Sequence, residues 1–437
     1  MHVKKIFQDR VRNLAIIVIL FAVSRIINVN GDILESYKYI SPDGLDWIIQ
    51  GRLIGVDGVV IPVLRNSGYV FVSKIDWLLG AHGFSFAITA FLGLYLQAHV
   101  LIELMKQYEI RRKIQYLGIV IYFLIFIHFI SLYILPDGIA VGIMCIALHL
   151  SLKGLKTNLH MMWTFGLIMG VVATTFQIYA FSIFLCLALG VFVSKITKQA
   201  KVKRFSEIAF VTLISLLIIG AWREWNAHLT VPSQINLLKL SFDMFPFYGH
   251  TLTLLFLPLF MVSIIAICLP RVRVGISSFE KLIFLMGFAL LVSSMFYQWP
   301  ESRFTYSGVA LVYLAGLPLA LKTIDSYLIS LKGLSKVARA VPLTLSLSLL
   351  SLLLFGPANP WQPRLEQVQI GHTWPIEVLN DYSNNPKSRH RYAIRELKDH
   401  CLNNDPTSEK SATIVKFGFS EYEVSQLDLY AAYCLFK

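Results

Sequence analysis

Apolar runs of bilayer-crossing length recur along most of this chain, and they constrain its fold more than any motif does. A helix needs about 20 predominantly apolar residues to cross the hydrocarbon layer. By that measure spans fall near residues 13–29, 84–104, 115–134, 138–152, 161–176, 178–194, 206–222, 251–269, 279–297, 304–321 and 340–356. Backbone N–H and C=O groups find no water in hydrocarbon, so such runs satisfy themselves as helices. The chain is 56% hydrophobic and only 15% charged, where soluble domains carry roughly 25% charged residues. The expectation is an all-α polytopic membrane protein with about eleven transmembrane helices.

A net charge of +13 would suggest a nucleic-acid partner in a soluble chain. Here Lys and Arg stand in short clusters between apolar runs, at 4–12, 106–113, 153–156, 195–204, 271–273 and 322–339. That is how membrane proteins set orientation, and no nucleic-acid partner is expected. The clusters occupy alternate loops. By the positive-inside rule they face the cytoplasm together with the N-terminus, while the loops at 30–83, 135–137, 223–250 and 298–303 face outward together with the C-terminus. The alternation requires a turn inside 161–194, where Thr174, Thr175 and Gln177 interrupt the apolar run. The basic start leads into an apolar run with no clean small-residue cleavage site after it, which reads as a retained first helix rather than a signal peptide.

The chain divides into a transmembrane domain, residues 1–356, and an outward C-terminal tail, residues 357–437, which opens with Pro357, Pro360 and Pro363. The tail is long enough for a small cap and short for an independent core. Cys145, Cys186 and Cys268 lie in apolar runs. Cys401 and Cys434 lie in the tail, where an outward location permits either a disulfide or two buried thiols. In the first outer loop, 45–56 and 70–79 interleave apolar residues with Trp47, Arg52, Lys74 and Trp77, the pattern of helices lying in the membrane interface.

Three outward segments carry charge next to the membrane: Ser41-Pro-Asp-Gly-Leu-Asp46, Leu135-Pro-Asp-Gly138 and Gln298-Trp-Pro-Glu-Ser-Arg-Phe304. Asp43 and Asp46 are three apart, on one face of a first helical turn. Either suits a general base on a sugar hydroxyl, and Asp43 equally suits a helix cap. Asp137 sits in a Pro-Asp-Gly turn tight against the membrane, as a substrate contact or a cap. Arg303 stands at the outer start of a span, against the positive-inside trend. A guanidinium there fits a lipid-linked phosphate bidentately, with Glu301 orienting it or merely pairing with it. Tyr306 follows on the same helical face, as a further phosphate contact or an aromatic-belt residue. Arg223 and Glu224, in the loop after the seventh span, are further candidates for touching substrate. No cluster of His, Cys and carboxylates has metal-ligand spacing, and no Gly-rich Lys-Ser/Thr phosphate loop occurs, so no soluble nucleotide donor is implied.

This arrangement resembles the GT-C superfamily of integral-membrane glycosyltransferases, which use polyprenyl-phosphate sugars. The resemblance covers the transmembrane region and rests on Ser-Pro-Asp43-Gly-Leu-Asp46-Trp, Leu-Pro-Asp137-Gly-Ile-Ala and Pro-Glu301-Ser-Arg303-Phe-Thr-Tyr306. It implies a first-loop acid as catalytic base, Asp43 with Asp46 as alternative, and a basic residue at the later loop, Arg303, for the donor phosphate. Many members pair the first-loop acid directly with a second acid, whereas here Gly44 and Leu45 intervene. Within the superfamily the chain looks most like the serotype-converting O-antigen glucosyltransferases of bacteria and their phages. That likeness implies an enzyme of the bacterial inner membrane that moves a sugar, glucose by analogy, onto a periplasmic glycan such as lipopolysaccharide O-antigen. Its implied partners are the lipid-linked donor, the glycan acceptor, membrane lipid, a donor-lipid flippase and a cytoplasmic-face donor-lipid synthase. A divalent cation, Mg or Mn, is compatible with phosphate binding, but no cofactor is required.

Two rival classes make different demands. An O-antigen or capsule polymerase is expected to use Arg-rich outer loops, and here those loops hold few Arg. A lipid-linked sugar flippase or transporter would carry polar residues deep in its spans and paired broken helices.

Overall fold

The computed structural model describes residues 14–22, 47, 50–51, 65–79, 84–131, 136–226, 278–295 and 303–330. Among these the chain is helical without strands. In order come α1 (Ser67–Leu78), α2 (Phe84–Gln107), α3 (Arg112–Ser131), α4 (Asp137–Thr157), α5 (His160–Phe176), a short 3-10 turn (Ile178–Phe181), α6 (Ser182–Val193), α7 (Lys198–Trp225), α8 (Ser278–Met295) and α9 (Arg303–Ser330). Residues 14–22 are helical as well. Three of these helices, α2, α4 and α7, are long and apolar enough to cross a membrane. The spans expected near 251–269 and 340–356, the tail and its two cysteines lie outside the described residues.

Short connections make successive helices antiparallel. The α4–α5 hairpin turns at Asn158, which takes the left-handed conformation (φ 55°) that Asn tolerates better than most residues, and Leu159 N donates to Gly154 O at 3.0 Å. The turn expected inside 161–194 is present. Gln177 is extended (φ −147°, ψ 134°), the 3-10 turn follows, and α6 folds back so that a Cβ on Gly170 would meet Ile183 and Phe184.

Among the described residues this alternation collects the basic clusters at 106–113, 153–156 and 195–204 at one end of the bundle. Lys106 closes α2, Arg112 and Lys113 open α3, Lys156 closes α4, and Lys198 and Lys201 open α7. At that end Arg111 is tied to Asp325 of α9 through both its backbone N and its guanidinium. Burial pushes the Asp325 carboxyl up, but these hydrogen bonds and the nearby cations hold it below its ordinary range. On α7, Glu207 accepts from Trp163 Nε1 at 2.7 Å and from Arg204 at 3.0 Å, fastening α5 to α7.

Burial sorts the helices. Along its apolar window α4 is 89% buried and α7 only 17%. Eight large apolar side chains of α7 are exposed, Phe210 at 63% and Leu217 at 62% among them. In water these would forgo about 1.5–3 kcal/mol each, together as much as the ~5–15 kcal/mol that holds a typical domain folded. A lipid surround removes that penalty. α4 reaches the centre because small residues let its backbone close on α2: a Cβ on Gly93 would lie 2.5 Å from Gly138 O, and one on Gly142 2.5 Å from Gly93 O. α8 and α9 cross in the same way at Gly287 and Gly308. Close crossings of small residues are the usual means of helix association in lipid.

Candidate functional site

At the end of the bundle opposite the basic clusters, Asp137 occupies the first turn of α4, with Pro136 as the N-cap residue. A carboxylate in a first turn complements the helix dipole. It also reaches across the bundle, because its Oδ1 accepts from Tyr179 Oη at 3.1 Å and from Gln177 Nε2 at 3.3 Å. The chain break between α5 and α6 therefore has a chemical consequence. Extended Gln177 and the following 3-10 turn present two donors to a half-buried acid on another helix.

Behind Asp137 lies a buried polar knot. Gln97, fully buried in α2, donates from Nε2 to the Gly138 carbonyl at 3.0 Å. Its Oε1 accepts from Tyr122 Oη of α3 at 2.6 Å and from Tyr306 Oη of α9 at 3.3 Å. One amide thus joins four helices and is used on both of its sides. The glycine crossings explain how they meet: Gly138 follows Asp137 and packs on Gly93, while Gly308 brings α9 onto α8 two residues after Tyr306.

The first-loop segment closes the same end. Trp47, the residue after Asp46, packs edge-on against Tyr69 of α1 at 5.3 Å, and the Arg65 guanidinium lies 5.6 Å over its ring. Arg65 N donates to Gln50 Oε1 at 2.8 Å, and Arg65 O accepts from Trp222 Nε1 of α7 at 2.8 Å. Asn66 Nδ2 donates to Phe176 O at 3.2 Å, immediately before Gln177.

Of the candidates read from sequence, Asp137 and Tyr306 are brought to one place, linked through Gly138 and Gln97. Tyr306 points into the bundle instead of forming an aromatic belt. Arg303 starts α9 one turn away, its side chain outside the described residues. Arg223 and Glu224 are exposed in the last turn of α7. Among the described residues no hydrogen bond or ion pair joins them to Asp137. Asp43, Asp46 and Glu301 lie outside the described residues. Sequence reasoning passed over Gln97, Tyr122 and Tyr179. The signal for Gln97 was available, since an amide inside an apolar run must find partners within the protein. Among the described residues no group of three or more His, Cys, Asp or Glu could hold a metal ion, and Cys145 and Cys186 are buried free thiols.

Fold and site together define, among the described residues, an all-helical bundle with three helices long and apolar enough to cross a membrane and a polar centre at one end. Comparison with protein-family models, with curated proteins and with solved structures found no match.

Proposed function

We propose that this protein is an eleven-span glycosyltransferase of the bacterial inner membrane that moves a sugar from a polyprenyl-phosphate donor to a glycan acceptor on the periplasmic face. In this reading the basic end of the bundle is cytoplasmic, and the end carrying Asp137 faces the periplasm. The acceptor hydroxyl gives its proton to the Asp43 carboxylate, with Asp46 as the alternative base. Its oxygen attacks the anomeric carbon, and the bond from that carbon to the phosphate oxygen breaks. The lipid phosphate leaves already anionic, held by Arg303, so no general acid is needed. Asp137, kept in place by Tyr179 and Gln177, hydrogen-bonds sugar hydroxyls.

The observation that carries this reading is Asp137 itself. A half-buried acid fastened by two neutral donors at the non-basic end of an apolar bundle is suited to a neutral polyhydroxylated ligand near the lipid surface. A second reading, a lipid-linked sugar flippase, draws on the Gln97–Tyr122–Tyr306 knot, because polar groups deep in spans also mark translocation paths.

The test is transfer from a polyprenyl-phosphate sugar in membranes containing Asp43→Asn, Asp137→Asn or Arg303→Ala variants at matched protein levels. Asp43→Asn is expected to lower turnover by about 100-fold or more, the scale of a lost general base. Full activity in all three variants, or no transfer by the wild type, sinks the glycosyltransferase reading. Translocation without transfer favours the flippase.

A further inference from the structure

Gln97 stands between the two helix starts that the proposed function uses, and its amide can be oriented only one way. The Gly138 carbonyl accepts and cannot donate, so Nε2 must face it, at 3.0 Å. That leaves Oε1 to accept from the hydroxyls of Tyr122 at 2.6 Å and Tyr306 at 3.3 Å. Gly138 follows Asp137 in the first turn of α4. Tyr306 comes three residues after Arg303, in the turn that opens α9. One turn before Gln97 on the same face of α2, Gly93 lies against the α4 backbone, where a Cβ would come within 2.5 Å of Gly138 O and 2.7 Å of Ile139 N. On the other flank Gly308 brings the start of α9 onto Leu291 of α8. Neither first turn can slide along α2 without breaking a hydrogen bond to the same fully buried side chain.

We propose that Gln97 is a positioning residue for sugar transfer, holding the starts of α4 and α9 at the separation that the sugar and the phosphate of one donor molecule require. The proposal rests on the reading of Asp137 as a contact of sugar hydroxyls and of Arg303 as the holder of the lipid phosphate. The two subsites then grip opposite sides of the bond that breaks, from the anomeric carbon to the phosphate oxygen. The donor stays bound through its prenyl chain and either subsite alone, so a shift between the subsites leaves its affinity nearly unchanged. Turnover responds differently. The anomeric carbon must face the incoming hydroxyl oxygen in line with the departing phosphate, and a misplacement of about 1 Å can cost about 100-fold. The two tyrosines separate this role from plain stability. Tyr122 makes the shorter hydrogen bond to Oε1 but comes from α3, and no candidate site residue stands on that helix. Tyr306 makes the longer one and belongs to the start of α9. Stability alone ranks the loss of the Tyr122 hydroxyl first, whereas positioning ranks the loss of the Tyr306 hydroxyl first.

The test measures kcat and donor KM for transfer from polyprenyl-phosphate glucose in membranes that hold the full-length chain, each variant scaled to its amount of folded protein. Tyr306→Phe is expected to lower kcat about ten-fold with donor KM within about two-fold, and Tyr122→Phe to keep both within about two-fold of the wild type. Gln97→Leu is expected to fall at least as far as Tyr306→Phe. Combining Gln97→Leu with Tyr306→Phe should cost no more than Gln97→Leu alone, since both act through one link. If the Tyr306 hydroxyl instead touched the phosphate directly, the two losses would multiply, and that result overturns the proposal. So does a loss in Tyr122→Phe as large as that in Tyr306→Phe. Should Gln97→Leu fail to fold, the comparison of the two tyrosine variants decides by itself. An active wild type with unchanged variants sinks the positioning role and leaves the transfer reading standing, whereas a wild type that transfers nothing sinks both.

Discussion

Gln97 shows what a single buried amide can organise. Three groups hydrogen-bond to it: the Tyr122 hydroxyl, the Tyr306 hydroxyl and the Gly138 carbonyl. Gln97→Leu keeps the bulk and removes all three hydrogen bonds, each worth about 0.5–1.5 kcal/mol net in a typical protein. Hydrogen bonds between membrane helices are often worth less, about 0.6 kcal/mol, so a net loss of roughly 1–3 kcal/mol is expected. It would be read as a lower thermal midpoint in detergent, with Tyr306→Phe costing clearly less. Asp325 makes a pH-dependent contribution. Its carboxyl titrates below the ordinary range in the folded protein, so the unfolded chain takes up the proton first. The stabilisation is complete above about pH 4, the ordinary Asp value, and is lost as pH falls through the lowered folded value. Unfolding midpoints of the wild type and Asp325→Asn should differ most near neutrality and converge in acid. A gap that widens in acid would contradict the assignment.

Among elements, the spacing of apolar runs located the helices well because bilayer thickness fixes their length. The runs at 84–104, 138–152 and 206–222 became Phe84–Gln107, Asp137–Thr157 and Lys198–Trp225. The added turns are the polar and basic ends, which a hydropathy argument trims away. Which glycines matter was not legible, since a Gly in a span reads the same whether it faces a helix or lipid. The structure separates them. A Cβ on Gly93 would collide with the Gly138 carbonyl at 2.5 Å, whereas Gly220 on α7 has nothing within 4 Å. Gly93→Ala is therefore expected to destabilise by about 1–3 kcal/mol through overpacking. Gly220→Ala should be neutral or stabilising, by up to about 1 kcal/mol, through helix propensity. Chemical denaturation of the two variants side by side checks both signs.

For the whole molecule, the proposed orientation predicts the behaviour of reporter fusions. Alkaline phosphatase joined after Gln177 or Asn226 should be active, and joined after Glu109, Asn158 or Ile196 silent. The reverse pattern would invert the molecule and put Asp137 on the cytoplasmic face. The alternation of basic loops was readable from sequence, and the fold gathers the described ones, at 106–113, 153–156 and 195–204, at one end. That agreement has a simple cause, since short connections leave successive helices no choice but to reverse direction.

What the sequence by itself determined was the membrane-crossing length and apolarity of helices such as those at 84–107, 137–157 and 198–225, and the break near Gln177. Each depends on local composition measured against a fixed thickness of hydrocarbon. Of the site it disclosed Asp137 and Tyr306 as residue types in suggestive places, with no hint that they share a centre. Only the tertiary structure decided that Tyr306 turns inward, that Gln177 and Tyr179 hold Asp137 and that Gln97 joins four helices. Those facts follow from glycine crossings between helices far apart in sequence, where a few ångströms of backbone approach set which side chains meet. No local pattern encodes that distance.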